Sequence, residues 1–125
     1  MSYLIVYLGA GLGGALRHFV NVTTMRLGEP TYLGTLAINV SGSFVMGLIA
    51  EYFALRSHLP QDLRLFLTTG IIGGYTTFSA YSLEAVLLYE RGQLAVAAAY
   101  IVTSVVLSIG ALFAAIVLLR LALQP

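Results

Sequence analysis

All the formal charge in this chain, six arginines and five acidic residues, falls between four long stretches that carry none. Those stretches are Met1–Leu16, Thr31–Ala50, Leu65–Leu83 and Gly92–Leu119. A helix that crosses the hydrocarbon core of a bilayer needs about 20 mostly apolar residues. The second, third and fourth stretches reach that length by themselves. The first reaches it if its helix continues past Arg17 through His18, Phe19 and Val20. A soluble domain carries roughly 25% charged residues; this chain carries 9%, too few to coat a water-facing surface. Lipid is therefore the solvent the sequence anticipates. The pattern predicts an all-α integral membrane protein of four transmembrane helices in a single domain spanning residues 1–125.

The same counts exclude several functions. A net charge of +1 does not fit a nucleic-acid binder that works by neutralising phosphates. With no cysteine, disulfides and thiolate metal sites are impossible. His18 and His58 have no second ligand at metal spacing. No serine–histidine–aspartate set, carboxylate pair or phosphate loop is present, so an enzyme is not expected. A cleavable signal peptide is a poor reading of the first stretch, which lacks a basic leading segment and has Arg17 where small residues should sit.

Connections between spans are short. Gly28-Glu29-Pro30 is a turn signal, Pro60 suits the first position of a helix, and Gly92 suits a helix C-terminal cap. An even number of spans places Arg56, Arg64 and Arg120 on one side and Arg17, Arg26 and Arg91 on the other. Three against three gives no positive-inside bias. Either the charges are too few to decide, or copies insert both ways round and pair antiparallel. Glycine weakens a helix by about 1 kcal/mol relative to alanine, yet the chain has 13. Close helix packing through small-xxx-small pairs is the compensation, with Gly9/Gly13, Gly70/Gly74 and Gly110/Ala114 as candidates.

Three polar features lie inside the spans. Thr35, Asn39 and Ser43 share one face of span two. Asn39 is either glue between helices or a donor facing a pore. Tyr100, Ser104 and Ser108 form a similar stripe on span four, with Thr103 beside it, either as small packing residues or as a polar track. Span three contains Gly73-Gly74-Tyr75-Thr76-Thr77, two glycines and two β-branched threonines in mid-membrane, a poor helix. Irregular backbone at that depth must be buried in protein or line a cavity. The third span is therefore expected to break there. Broken spans point to binding sites and expose carbonyls that can hold a cation; a kink or a tight crossing is the other reading. Glu84 and Arg17 sit toward span ends, where they can snorkel or pair.

These motifs resemble the small fluoride channels of the Fluc (CrcB) family over essentially the whole chain. Gly13-Gly14-Ala15-Leu16-Arg17 resembles the family's first-span motif. Gly34-Thr35-Leu36-Ala37-Ile38-Asn39-Val40-Ser41-Gly42 looks like its G-T-L-x-x-N-x-x-G. Thr69 to Ser79, with Glu84 after it, is similar to its G-G-x-T-T-F-S signature. The resemblance implies an antiparallel, dual-topology homodimer in the bacterial plasma membrane with two fluoride pathways. It implies passive export of fluoride from the cytoplasm. It also implies one structural Na⁺ at the dimer interface, held by the backbone carbonyls of Gly73 and Thr76 from each copy. The pore residues it carries over are Asn39, Phe78, Tyr100, Ser104 and Ser108. Where the family usually has a second phenylalanine, this chain has Tyr81, which keeps a ring edge and adds a hydroxyl. Small multidrug-type proton-coupled exporters are also four-span dual-topology dimers, but they need a carboxylate in the first span, and Met1–Leu16 has none. A non-transporting assembly subunit would leave the aligned polar faces without purpose.

Overall fold

The computed structural model describes residues 1–124, and every regular element among them is helical. Helix α1 (Ser2–Arg26) and α2 (Thr31–Leu55) are joined by a tight turn at Gly28, whose φ of 76° only glycine adopts readily. The Gly28 N–H donates to Met25 O and the Glu29 N–H to Thr24 O. This paired capping of the last carbonyls ends α1. The turn after span three is built the same way. Gly92 has φ 78°, its N–H donates to Tyr89 O, and the Gln93 N–H donates to Leu88 O.

Span three is assembled from pieces. Helix α3 (Gln61–Leu65) follows Pro60, which sits just before the first helical residue in extended conformation rather than at the first helical position. It runs directly into a wider π-helical stretch, Phe66–Ile72, and then the single turn α4 (Gly73–Tyr75). The chain extends at Thr76 (φ −78°, ψ 156°) and Thr77 (φ −149°, ψ 122°) before α5 (Phe78–Glu90) begins. The expected mid-span break is present, three residues past Gly73, which itself stays helical. Helix α6 (Leu94–Leu123) completes the bundle. Three helices, α1, α2 and α6, are each long and apolar enough to cross a membrane.

Packing explains why the glycines remain helical. A Cβ at Gly9 would stand 2.8 Å from Gly70 Cα, one at Gly13 2.0 Å from Ile71 O, and one at Gly74 2.4 Å from Ala10 O. The two glycine pairs thus face each other and let α1 lie in backbone contact with the first half of span three. Rising numbers meet rising numbers, so the two run parallel. Helices α2 and α6 are also parallel. Their starts meet at Tyr32 and Tyr100, their middles where Gly47 lies on Leu112 O and Ala115 Cβ, and their ends at Glu51 and Arg120. The third candidate pair is not used in this way: nothing lies within 4 Å of a Cβ built on Gly110, and α6 instead presents Leu112 and Ala115 to α2.

The interior holds glycines, two tyrosines and the polar Thr35, Glu51 and Ser104 alongside a few aliphatic side chains such as Ile38 and Leu88, while Phe19, Phe113 and Leu121 stand on the outer surface. Lipid tails are as apolar as leucine, so no hydrophobic force draws these side chains inward, and close backbone contact holds the helices instead.

Candidate functional site

Breaking span three frees backbone groups that a continuous helix would pair, and the neighbouring helices take up several of them. Asn39 of α2 clamps the break from both sides. Its Nδ2 donates to Thr77 O and its Oδ1 accepts from the Thr77 N–H, both at 2.9 Å. A carboxamide has two N–H groups, so one remains after this pairing. Thr77 Oγ1 accepts from the Ala80 N–H at 3.1 Å and so caps α5. Arg17 Nε donates to Gly74 O at 3.3 Å. Instead of snorkelling to an interface, Arg17 therefore turns inward and satisfies a carbonyl at the end of the first half-span. Because the Thr77 N–H goes to Asn39 and the Ala80 N–H to Thr77 Oγ1, the Gly73 and Thr76 carbonyls both lose the partners a continuing helix would supply.

Beside the break, α2, span three and α6 enclose an open groove of about 380 Å³. Its walls carry Asn39 and Ser43 from α2, Thr76 and Thr77 from the break, Phe78 and Tyr81 from α5, and Ser104 and Ser108 from α6. The sequence-predicted residues Asn39, Phe78, Tyr81, Ser104 and Ser108 are thus brought to one place. Tyr100 is not on the groove wall. It stands behind Tyr81, ring centroids 5.3 Å apart, and lines a separate outer crevice with Tyr32 and Thr103. Gly73 lies outside the groove on the exposed face of the bundle. Phe78 is 77% exposed at the groove rim, whereas Tyr81 is buried.

The groove walls are uncharged. Buried polar atoms in proteins are nearly always paired, yet the Ser104 hydroxyl is buried and has no protein partner among the described residues. Behind the groove, Thr35 Oγ1 donates to Glu84 Oε1 at 2.6 Å, while Glu84 Oε2 and the Tyr100 hydroxyl are buried without protein partners. Sequence reasoning placed Glu84 toward an interface. It missed the pairing with Thr35, although the antiparallel course of α2 and α5 required by Asn39 and Thr77 brings those two residues level. It also missed the two-point ion pair of Glu51 with Arg120 (Nε to Oε1 3.0 Å, Nη2 to Oε2 3.2 Å), which joins positions 69 apart in the chain. A further missed contact, between the Ser41 and Tyr75 hydroxyls at 2.9 Å, lies on the exposed side of the break.

The sequence profile of the family described as CrcB-like protein, Camphor Resistance (CrcB), matches residues 4–116. A protein of Granulibacter bethesdensis named fluoride-specific ion channel FluC is 61% identical over 121 residues, 96% of this chain and 95% of its own length. Proteins of the same name from Rhodopseudomonas palustris and a Methylobacterium species are 57% and 54% identical, each over 96% of this chain and 98% and 97% of their own lengths. With matches that cover nearly the whole of both partners and a bundle of membrane-length helices around a broken span, the chain belongs to the CrcB family of multi-pass membrane proteins, which are ion channels and not enzymes.

Proposed function

We propose that this protein is a fluoride channel that lets the ion leave the cytoplasm passively, along two pathways in an antiparallel homodimer. The observation that carries the reading is the groove at the break. Uncharged donors from Asn39, Ser104 and Ser108 meet there with the rings of Phe78 and Tyr81. The relatives' printed names supply the ion. Bare charge moved into low dielectric costs tens of kcal/mol by Born reckoning, so a pathway must replace the ion's water with fixed donors. Hydrogen bonds to a charged group contribute about 1.5–3 kcal/mol each. The free Asn39 N–H and the serine hydroxyls can provide them, and aromatic ring edges add the positive part of their quadrupole. Fixed cations inside the path would trap the ion, and conduction needs it to leave.

A second copy is part of this reading because the groove of one chain is too wide. A volume of about 380 Å³ holds many waters at roughly 30 Å³ each, so an ion there keeps its hydration. An opposing surface that covers the exposed Phe78 would narrow the groove into a path. The balanced arginines favour an inverted partner.

A structural Na⁺ between the copies fits the residues present. The Gly73 and Thr76 carbonyls are released from helical pairing, Gly73 is exposed on the surface of the single chain, and the C-terminal end of a half-helix carries partial negative charge. Bound there, the ion would supply fixed positive charge and hold the two breaks together.

A proton-coupled exporter is disfavoured because α1 has no acidic residue. The test is purified protein in liposomes loaded with fluoride and read with a fluoride electrode. Release that follows the membrane potential and ignores an imposed proton gradient is expected. No release, or release only with a proton gradient, refutes the proposal.

A further inference from the structure

Tyr81 lines the groove, yet its hydroxyl does not serve it. The residue is 8% exposed, and its ring is held on two sides, by Phe78 at 5.4 Å and 65° and by Tyr100 at 5.3 Å and 59°. The hydroxyl donates to the Ile101 carbonyl of α6 at 3.0 Å. A phenol has one proton to donate, so that donor is committed to α6. A backbone carbonyl has two lone pairs, so Ile101 can accept it while keeping its helical partner. Among the described residues, this is the one side-chain hydrogen bond joining α5 to α6. On α5, Phe78 lies one turn from Tyr81. On α6, Ser104 lies one turn from Ile101. The bond therefore fastens the aromatic wall of the groove to its hydroxyl wall within a turn of the residues proposed to meet the ion.

We infer that Tyr81 is a positioning residue, whose bond to Ile101 fixes the separation between the Phe78 ring and the hydroxyls of Ser104 and Ser108. This rests on the fluoride reading above. Hydrogen bonds weaken steeply with poor angle and length, and a small ion leaves its water only for donors held at a set spacing. A wall free to move outward would let water stay with the ion. The hydroxyl that distinguishes Tyr81 from phenylalanine is, on this view, a brace behind the path and no obstruction within it.

The test is Tyr81→Phe, which keeps the ring and removes the bond, with Tyr52→Phe on the exposed end of α2 as a control. Fluoride efflux from liposomes is measured across a range of fluoride concentrations. We expect Tyr81→Phe to lower flux about 3- to 10-fold, the range set by one interhelical hydrogen bond in lipid. The concentration giving half-maximal flux should rise, with the amount of folded protein unchanged. Deuterium uptake over residues 78–90 should also quicken. Unchanged flux overturns the inference, as does increased flux, which would mean that the hydroxyl obstructs. Reduced flux with an unmoved half-maximal concentration overturns it too, since that is loss of structure alone. If the parent protein releases no fluoride, the channel reading fails by itself, and the brace is then judged on deuterium uptake alone.

Discussion

Replacing Asn39 by alanine removes both partners of Thr77 in one step. The Thr77 N–H and C=O each hydrogen-bond the Asn39 amide at 2.9 Å. An unpaired buried polar group costs about 1–3 kcal/mol, so losing both partners amounts to about 2–6 kcal/mol. Interhelical hydrogen bonds in membrane proteins average only about 0.6 kcal/mol, because the groups left behind find other partners. That escape is poor here: Thr77 is in extended conformation between two half-helices, and its own hydroxyl already caps Ala80. The groove admits some water, which places the expected loss at the lower end, about 2 kcal/mol. Reversible unfolding in mixed detergent micelles measures it. Asn39→Asp separates the clamp from the pathway. A carboxylate still accepts from the Thr77 N–H, but it opposes Thr77 O and puts negative charge beside the groove. Folded Asn39→Asp protein with no fluoride efflux is the expected outcome. If Asn39→Ala unfolds within about 0.5 kcal/mol of the parent, as an ordinary surface substitution does, the clamp argument is wrong. Normal efflux through Asn39→Asp would remove Asn39 from the ion path.

Gly13→Ala and Gly14→Ala are neighbours with opposite expectations. A Cβ at Gly13 would stand 2.0 Å from Ile71 O and 2.8 Å from Tyr75 N, whereas at Gly14 nothing lies within 4 Å. The first should lose about 1–3 kcal/mol or more by overpacking, and the second should gain up to about 1 kcal/mol of helix propensity; equal thermal midpoints in detergent would contradict this register of α1. Phe78→Ile should cut fluoride flux roughly 2- to 10-fold, the worth of an aromatic edge contact, while the oligomer survives on a sizing column. Undiminished flux would mean that the ring does not meet the ion. Exchanging sodium for choline throughout purification should lower the thermal midpoint of the assembled protein, and identical midpoints in the two salts would count against a structural cation.

Much of this architecture is legible from local pattern because lipid enforces local rules. Uncharged stretches mark spans, Gly28 and Gly92 mark turns, and the glycine pairs of α1 and span three mark a close crossing. What is not legible depends on which helix faces which. Gly73-Gly74 reads as the weakest point of span three, yet the helix continues through it because α1 lies against Gly74 and gains from the missing Cβ. The chain breaks at Thr76 and Thr77 instead, where a side-chain cap and the Asn39 amide can receive the freed backbone. Spacing alone leaves Asn39 divided between glue and pore donor. The geometry shows one N–H and the oxygen engaged at the break and leaves a second N–H over. Glu51 and Arg120 carry no mutual signal at all until parallel packing of α2 and α6 sets their ends side by side.

The break also sorts charge. A helix end carries about half an elementary charge, negative at its C-terminus and positive at its N-terminus. The first half of span three ends with its carbonyls at Gly73 to Thr76, while α5 begins at Phe78 beside the groove. Two extended residues thus separate a partly negative end, whose Gly73 is on the exposed face and whose Thr76 reaches the groove, from a partly positive end at the groove rim. An unbroken helix would have neither end in mid-membrane. On the proposed reading, a cation belongs to the first and an anion to the second, and neither requires a charged side chain on the groove wall. Arg17 fits the same logic. Its bond to Gly74 O moderates the negative end without entering the groove. The glycine contacts with α1, the Thr77 cap and the Asn39 clamp then have one common effect: they hold two helix ends open at a depth where ordinary packing would drive the chain back into a single helix.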